Sequence, residues 1–190
     1  MIFKKNIKIK ISSKKYEHFA EEICIMIEES AKVRGTGIAK KDPNYIREKI
    51  IKGEAVIATL DNKLIGFCYI ETWQNKEFIV NSGLIVHPDY RNFGIAKKIK
   101  KKIFNLTRKK FPNSKIFGIT TSLPVMNINS DLGYVATTFS TLPKDKEFWD
   151  GCRGCVNYDI LEKKEFKFCL CNAMIYIPKK ESIFKKIFNI

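Results

Sequence analysis

Isoleucine and lysine alternate from Ile7 to Ile11, a two-residue period that predicts a strand with one apolar face. The period then lengthens. Tyr16, Phe19, Ala20, Ile23, Cys24, Ile27 and Ala31 recur at three and four residues, which predicts an amphipathic helix over 14–32, interrupted by Arg34-Gly35-Thr36-Gly37. Asp42-Pro43 supplies an N-cap and a first-turn proline for a shorter helix that Gly53 closes. Residues 55–60 and 64–72 read as a hairpin about the polar turn Asp61-Asn62-Lys63, and residues 78–86 as a further strand ended by Pro88.

A long helix follows over 94–110, with Ala96, Ile99, Ile103 and Leu106 on one face and mostly lysine on the other. Beyond it the pattern predicts a strand over 115–120, a short helix over 124–132 stopped by Gly133, and strands over 134–139 and 156–161. A Cys-rich hairpin near 166–177 completes the expected sheet, and the tail beyond reads as a frayed terminus. No repeat and no Gly/Ser/Pro linker divides the chain, so this order describes one mixed α/β layer fold.

Composition changes little. The chain has 190 residues, 45% apolar and 29% charged, enough for one well-buried core. The apolar runs are strand-sized, too short to cross a membrane, and no apolar signal-peptide core follows the basic N-terminus. A soluble cytoplasmic protein is expected. The net charge of +15 raises nucleic acid as a partner, but only five of the 35 basic residues are arginine, the residue best suited to bidentate phosphate and base contacts. Nucleic-acid binding is therefore disfavoured, and most of the charge reads as solvated surface that also attracts polyanions.

The candidate chemistry lies in Leu84-Ile85-Val86-His87-Pro88-Asp89-Tyr90-Arg91-Asn92-Phe93-Gly94-Ile95-Ala96. An apolar strand ends at a proline turn, and Arg-x-x-Gly-x-Ala opens a helix. First-turn amides lack partners within their helix and the helix dipole favours an anion beside them. Gly94 admits close approach, Ala96 keeps the next turn clear, and Arg91 adds positive charge, a construction that suits a pyrophosphate. Neither G-x-G-x-x-G nor G-x-x-x-x-G-K-[ST] is present, which argues against dinucleotide and nucleoside-triphosphate sites.

At these residues the sequence resembles the GNAT superfamily of acyl-CoA N-acyltransferases, whose signature is Arg/Gln-x-x-Gly-x-Gly/Ala after a strand ending Val-x-Pro. The likeness runs from about residue 55 to 139 and includes Asp131-Leu132-Gly133-Tyr134. It implies a mostly antiparallel central sheet splayed after the fourth strand, with helices on both faces. It further implies that Leu84, Ile85 and Val86 pair with pantetheine while Asn92, Phe93, Gly94, Ile95 and Ala96, beside Arg91, hold the pyrophosphate of acetyl-CoA. The acceptor amine would then attack the thioester directly, with a fourth-strand N–H stabilising the oxyanion.

One position departs from the family: where many members carry a tyrosine as acid for the leaving thiolate, this chain has Asn129. Asparagine cannot protonate it, so Tyr134 and Tyr158 become candidates. For the base, Glu71, Glu77 and His87 lie near the ends of the strands that border the expected cleft, and Asn81 or Ser82 could relay through water.

On the acceptor side, the loop after the first helix offers two glycines with Arg34 and Thr36, flanked by Lys32, Lys40 and Lys41, a setting for a carboxylate. This loop, with Phe148-Trp149-Asp150-Gly151-Cys152, Cys155 and residues 157–161, resembles a narrower subgroup encoded near arginine-biosynthesis genes. That resemblance implies an N-acylglutamate synthase moving acetyl or succinyl to the α-amine of glutamate. A protein or peptide acetyltransferase and a non-catalytic CoA-binding module are the alternatives. A homodimer is compatible with all three.

Of six cysteines, Cys24 and Cys68 read as core residues. Cys152, Cys155, Cys169 and Cys171 form two close pairs across the expected hairpin, where a structural zinc would staple the C-terminal region; packing cysteines or a redox-sensitive pair fit the same spacing. The expected organisation is an acyltransferase domain over 1–150, a Cys-containing extension of it over 151–178 and a basic tail over 179–190.

Overall fold

A computed structural model describes residues 6–35 and 41–179. Seven strands form one sheet in the order β1-β2-β3-β4-β5-β7-β6. Strands β1 (Ile7–Ile11), β2 (Ala55–Leu60), β3 (Lys63–Trp73) and β4 (Phe78–Val86) make an antiparallel meander. All six residues of β2 are buried because both faces of the sheet are covered. On one face, Ala55 and Ile57 meet α1 (Ala20–Arg34) and α2 (Pro43–Ile51) through Ile23, Ile27, Ile46 and Ile50. On the other, Val56 and Ala58 meet Ile99 and Ile103 of α3 (Ile95–Lys110).

The first predicted helix begins instead as a 3₁₀ turn over Lys14–Phe19 before becoming α-helical at Ala20, and Gly35 ends it at φ 64°. Asp42 caps α2 as expected, its side chain accepting from the Asn44 amide at 2.9 Å.

After α3 the chain crosses back to β5 (Lys115–Thr120), which runs parallel to β4. That pairing covers only Phe78–Val80 against Lys115–Phe117, whereas β4 continues to Val86. From Asn81 onward β4 and β5 therefore part, and β5 turns to β7 (Asn172–Tyr176), its antiparallel neighbour. The expected splay after the fourth strand is present. Beside it lie α4 (Leu123–Asp131) and the short β6 (Val135–Thr137), which closes the sheet against β7.

The C-terminal region departs from expectation in two places. Residues 156–161 are not a strand: Tyr158–Lys163 is a helix, α6. The two-residue alternation there was misleading, since Val156 is 73% exposed, while Tyr158 and Leu161, three apart on one helical face, pack with Trp149 of α5 (Lys146–Asp150). The Cys-rich hairpin is also absent. Glu165 and Phe166 turn the chain at φ 51° and 61°, and only 172–176 is extended, inserted between β5 and β6 instead of paired with its own preceding residues. The tail beyond 179 lies outside the described residues. No described helix is long and apolar enough to cross a membrane.

Candidate active site

Where β4 and β5 part, a cavity of about 340 Å³ opens. Its walls are the free edge of β4, the end of β5, the start of α4 and, at the mouth, the C-terminus of α1. Beyond the outer end of β4 is the Pro88–Tyr90 turn that leads into α3.

That turn has the form of an anion cradle. Asn92 and Gly94 take left-handed backbone at φ 66° and 74°, turning successive amides outward before the helix begins at Ile95. Lys98 is the first to bond back, to the Gly94 carbonyl at 3.2 Å, and among the described residues no main-chain bond satisfies the amides of Asn92 to Ala96. A Cβ at Gly94 would have nothing within 4 Å, so the space before these amides is open. Arg91 donates from Nε to the Val86 carbonyl at 3.2 Å, which ties its side chain to the strand end. Residues 91–94 are all exposed, so the cradle is accessible to a ligand. Unpaired donors, clear space and fixed charge fit a pyrophosphate.

Leu84, Ile85 and Val86 belong to the stretch of β4 that β5 leaves unpaired, and Leu84 and Ile85 line the cavity. Ahead of them β4 bulges: Phe67 faces Ile85 while Tyr69 faces Ser82, one residue more on β4 than on β3. Gly83 occupies the bulge at φ 63°.

Glu71, at the end of β3, is 9% exposed and lines the cavity. Its Oε1 accepts from the Tyr69 hydroxyl at 2.9 Å and the Tyr45 hydroxyl at 3.1 Å, with Lys41 Nζ 3.6 Å away. Burial and this carboxylate push the Tyr69 hydroxyl well above its ordinary value and drive Tyr45 up as well, so both phenols stay protonated as donors. Arg34 also reaches the cavity, its Nε anchored to the Ser30 carbonyl at 3.0 Å. Among the described residues no carboxylate pairs with its guanidinium. Partial desolvation and the positive charge of Arg91 lower its pKa.

The other expected residues stand elsewhere. Glu77 is exposed at the start of β4, paired with Lys115 at 2.9 Å and apart from the cavity lining. His87 sits in the turn, 3.8 Å from Asp89. Tyr134 is 3% exposed behind the cavity, its hydroxyl 3.5 Å from Asn81 Oδ1, and burial pushes its pKa far up. Tyr158 packs in the C-terminal cluster. Thr36 lies outside the described residues.

The cysteines do not form the expected zinc site. Among the described residues no three His, Cys, Asp or Glu side chains stand close enough to hold a metal. Cys169 turns into the apolar cluster, whereas Cys152, Cys155 and Cys171 border the cavity. Burial and neighbouring thiols push Cys152 up to about 11 and Cys171 up to about 12.

One residue at the floor, Lys100, escaped the sequence reading, and a second, Asn129, was marked there only for the acid it cannot supply. Lys100 of α3 is 2% exposed, with Nζ donating to the Asn81 carbonyl at 3.4 Å. It follows Ala96 by four residues and precedes Ile103 by three, a spacing that places it on the apolar flank of an otherwise solvated lysine face. Asn129 of α4 is 1% exposed, and its buried Oδ1 has no partner.

Residues 38–122 match the Acetyltransferase (GNAT) family. No curated protein matches the chain. Among solved structures, N-acetylglutamate synthase from Neisseria gonorrhoeae, complexed with coenzyme A and N-acetyl-glutamate, superposes with a TM-score of 0.65 at 14% identity. The likeness covers 92% of this chain and 35% of the synthase, so the chain spans about a third of that protein. Rv2747 from Mycobacterium tuberculosis, solved in complex with CoA, superposes at 0.63 and 14% identity over 90% of this chain and 98% of its own. A GNAT-family acetyltransferase from Staphylococcus aureus Mu50 gives 0.62 and 16% over 91% and 99%. At such identities the structures speak for the fold. The likeness to the GNAT acetyltransferase family thus rests on residues 38–122, and the sheet built by the described residues has the fold of these solved acetyltransferases.

Proposed function

We propose that the protein transfers an acetyl group, or by the same chemistry a succinyl group, from acyl-CoA to the α-amine of glutamate or a similar acidic amino acid, the kind of step arginine biosynthesis employs. The observation that carries this reading is Arg34: a guanidinium lining the cavity that no carboxylate among the described residues pairs with, available for that of an acceptor. The bound synthase product, N-acetyl-glutamate, in a structure of the same fold supports it.

Asn92 to Ala96 and Arg91 hold the pyrophosphate, and the unpaired edge of Leu84 to Val86 holds the pantetheine arm. Bound acyl-CoA supplies a thioester carbonyl at the inner end of β4, where a main-chain N–H beside the Gly83 bulge stabilises the oxyanion. An acceptor ammonium has an ordinary pKa far above neutral, so a base must take its proton. Glu71 is that base. Tyr45, Tyr69 and Lys41 converge on its Oε1, which leaves Oε2 for the amine.

The test is thiol release from acetyl-CoA across a panel of amino acids, polyamines and peptides. Turnover selective for glutamate is expected, and Arg34→Met should raise the glutamate KM roughly tenfold through loss of one charge-assisted bond while leaving the acetyl-CoA KM unchanged. Selectivity for a polyamine or peptide would overturn the acidic acceptor.

A further inference from the structure

The acyltransferase reading leaves one group without a role. Lys100 is fully enclosed, yet its ammonium makes a single long hydrogen bond and has no carboxylate within ion-pair distance among the described residues. A buried cation in that condition is costly unless something anionic joins it. Its neighbours among the described residues offer no anion. From β3 comes Cys68, whose thiol burial pushes up to about 11; from the chain before β6 comes Tyr134, its ring centre 5.6 Å from Nζ and its hydroxyl held protonated by burial; from β4 come Asn81 and Ser82. Asn129, on the α4 wall of the same cavity, has a buried Oδ1 without a partner among the described residues. A cation with one long hydrogen bond and an amide oxygen with none thus line one space.

The position matches the acyl end of the donor. Asn81, which Lys100 touches, is five residues from Val86, about 16 Å along an extended strand from the phosphate turn. We propose that Lys100 is the proton donor to the departing thiolate, the task that Asn129 cannot perform. The proposal rests on the acyltransferase reading. The acceptor nitrogen forms the C–N bond, the C–S bond breaks with its electron pair on sulfur, and Nζ passes one proton to that sulfur. Nitrogen sheds two protons: the ammonium proton passes through Glu71 to solvent before attack, Glu71 takes the second as the adduct collapses, and exchange with solvent restores both side chains. Burial lowers Lys100 from the ordinary lysine value toward that of a thiol, so the transfer is better matched than from a solvated lysine.

The experiment uses the full chain loaded with CoA and measures the pH dependence of CoA alkylation by iodoacetamide, read as the CoA adduct by mass spectrometry, beside kcat–pH profiles with acetyl-CoA. In the wild type the bound thiol should titrate at least about one unit below free CoA, as beside any buried cation. Lys100→Met should raise it above free CoA, cut kcat on the order of 100-fold with little change in donor KM, and remove the alkaline limb of the kcat profile. Lys100→Arg separates charge from proton transfer, because guanidinium keeps its proton: the thiol should remain acidic while kcat still falls. It also serves if the methionine variant does not fold. A bound thiol that titrates alike in the wild type and both variants, or an alkaline limb unmoved by either substitution, would overturn the role. Wild-type protein that binds no CoA would overturn the acyltransferase reading along with it.

Discussion

The two ends of the cleft are built by different means, and two glycines show the difference. Gly94, in the turn before α3, has a positive φ and empty space where a side chain would project. Gly83, at the bulge of β4, has a positive φ and a Tyr69 ring carbon 2.7 Å from the position of a Cβ. The outer end is a main-chain surface left open for a ligand. The inner end is a packed floor in which each group is held by its neighbours: Glu71 by two tyrosines, Asn81 by Thr107 at 2.8 Å, Lys100 by Asn81. One end binds through backbone that few side chains can disturb; the other acts through side chains that packing alone positions.

The largest effect that would break this contrast is on donor binding. Gly94→Asp should weaken CoA binding by at least about 100-fold, since a carboxylate about 4 Å from each of several phosphate charges costs several kcal/mol even at intermediate dielectric. Aspartate tolerates left-handed backbone better than alanine does. Gly94→Ala, more strained yet neutral, should therefore retain most of the affinity. Calorimetric titration of both variants with CoA checks this, and equal losses would mean that conformation, not open space for an anion, is what Gly94 provides.

At the inner end the same operation should act on the fold. Gly83→Ala adds left-handed strain of about 1–2 kcal/mol and a clash with a buried ring worth about 1–3 kcal/mol, for a loss near 3 kcal/mol in thermal or urea unfolding. Because Tyr69 also orients Glu71, activity should fall further than stability predicts. Next in size, Glu71→Gln keeps an acceptor oxygen for both hydroxyls and so should fold normally, yet lose kcat on the order of 100-fold at neutral pH. The loss should shrink in alkaline buffer, where the acceptor amine sheds its proton unaided. A pH-independent loss would make Glu71 a positioning group only.

The same division explains what could be read from the chain. The turn was legible because its function needs only a local order of residue types: apolar strand, proline, arginine, glycine, helix. The meander and the α1, α2 and α3 helices were legible because burial on one face or two imposes a period. The floor was legible only as separate candidates: Asn81, Asn129 and Tyr134 could each be named, but with Lys100 they come from four separate segments, and nothing local marks one lysine among a run of them as buried. The C-terminal region failed for a related reason. In Val156-Asn157-Tyr158-Asp159-Ile160-Leu161 the residues Val156, Tyr158 and Ile160 fit a two-residue period while Tyr158 and Leu161 fit a helical one, and packing against Trp149 chose the second.

The smallest expected effect tests whether the floor is maintained at a cost that the turn does not incur. Burial lowers the pKa of Lys100 in the folded protein below its value in the unfolded chain. Between those two values the unfolded state binds more protons, so this group makes stability rise with pH across that window. Below the folded value both states are charged and the whole desolvation penalty bears on the fold; above the unfolded value both are neutral and the penalty is gone. Lys100→Met removes the penalty at every pH. The ligand-free variant should consequently melt above the wild type at neutral pH, with the gap closing as pH rises toward the ordinary lysine range, while a lysine on the exposed face of α3, such as Lys101→Met, should show no such trend. A gap that stayed constant with pH would mean that methionine simply packs better there. A gap that closed would show a charge kept at the floor against the fold's own interest, as a group retained for chemistry should be.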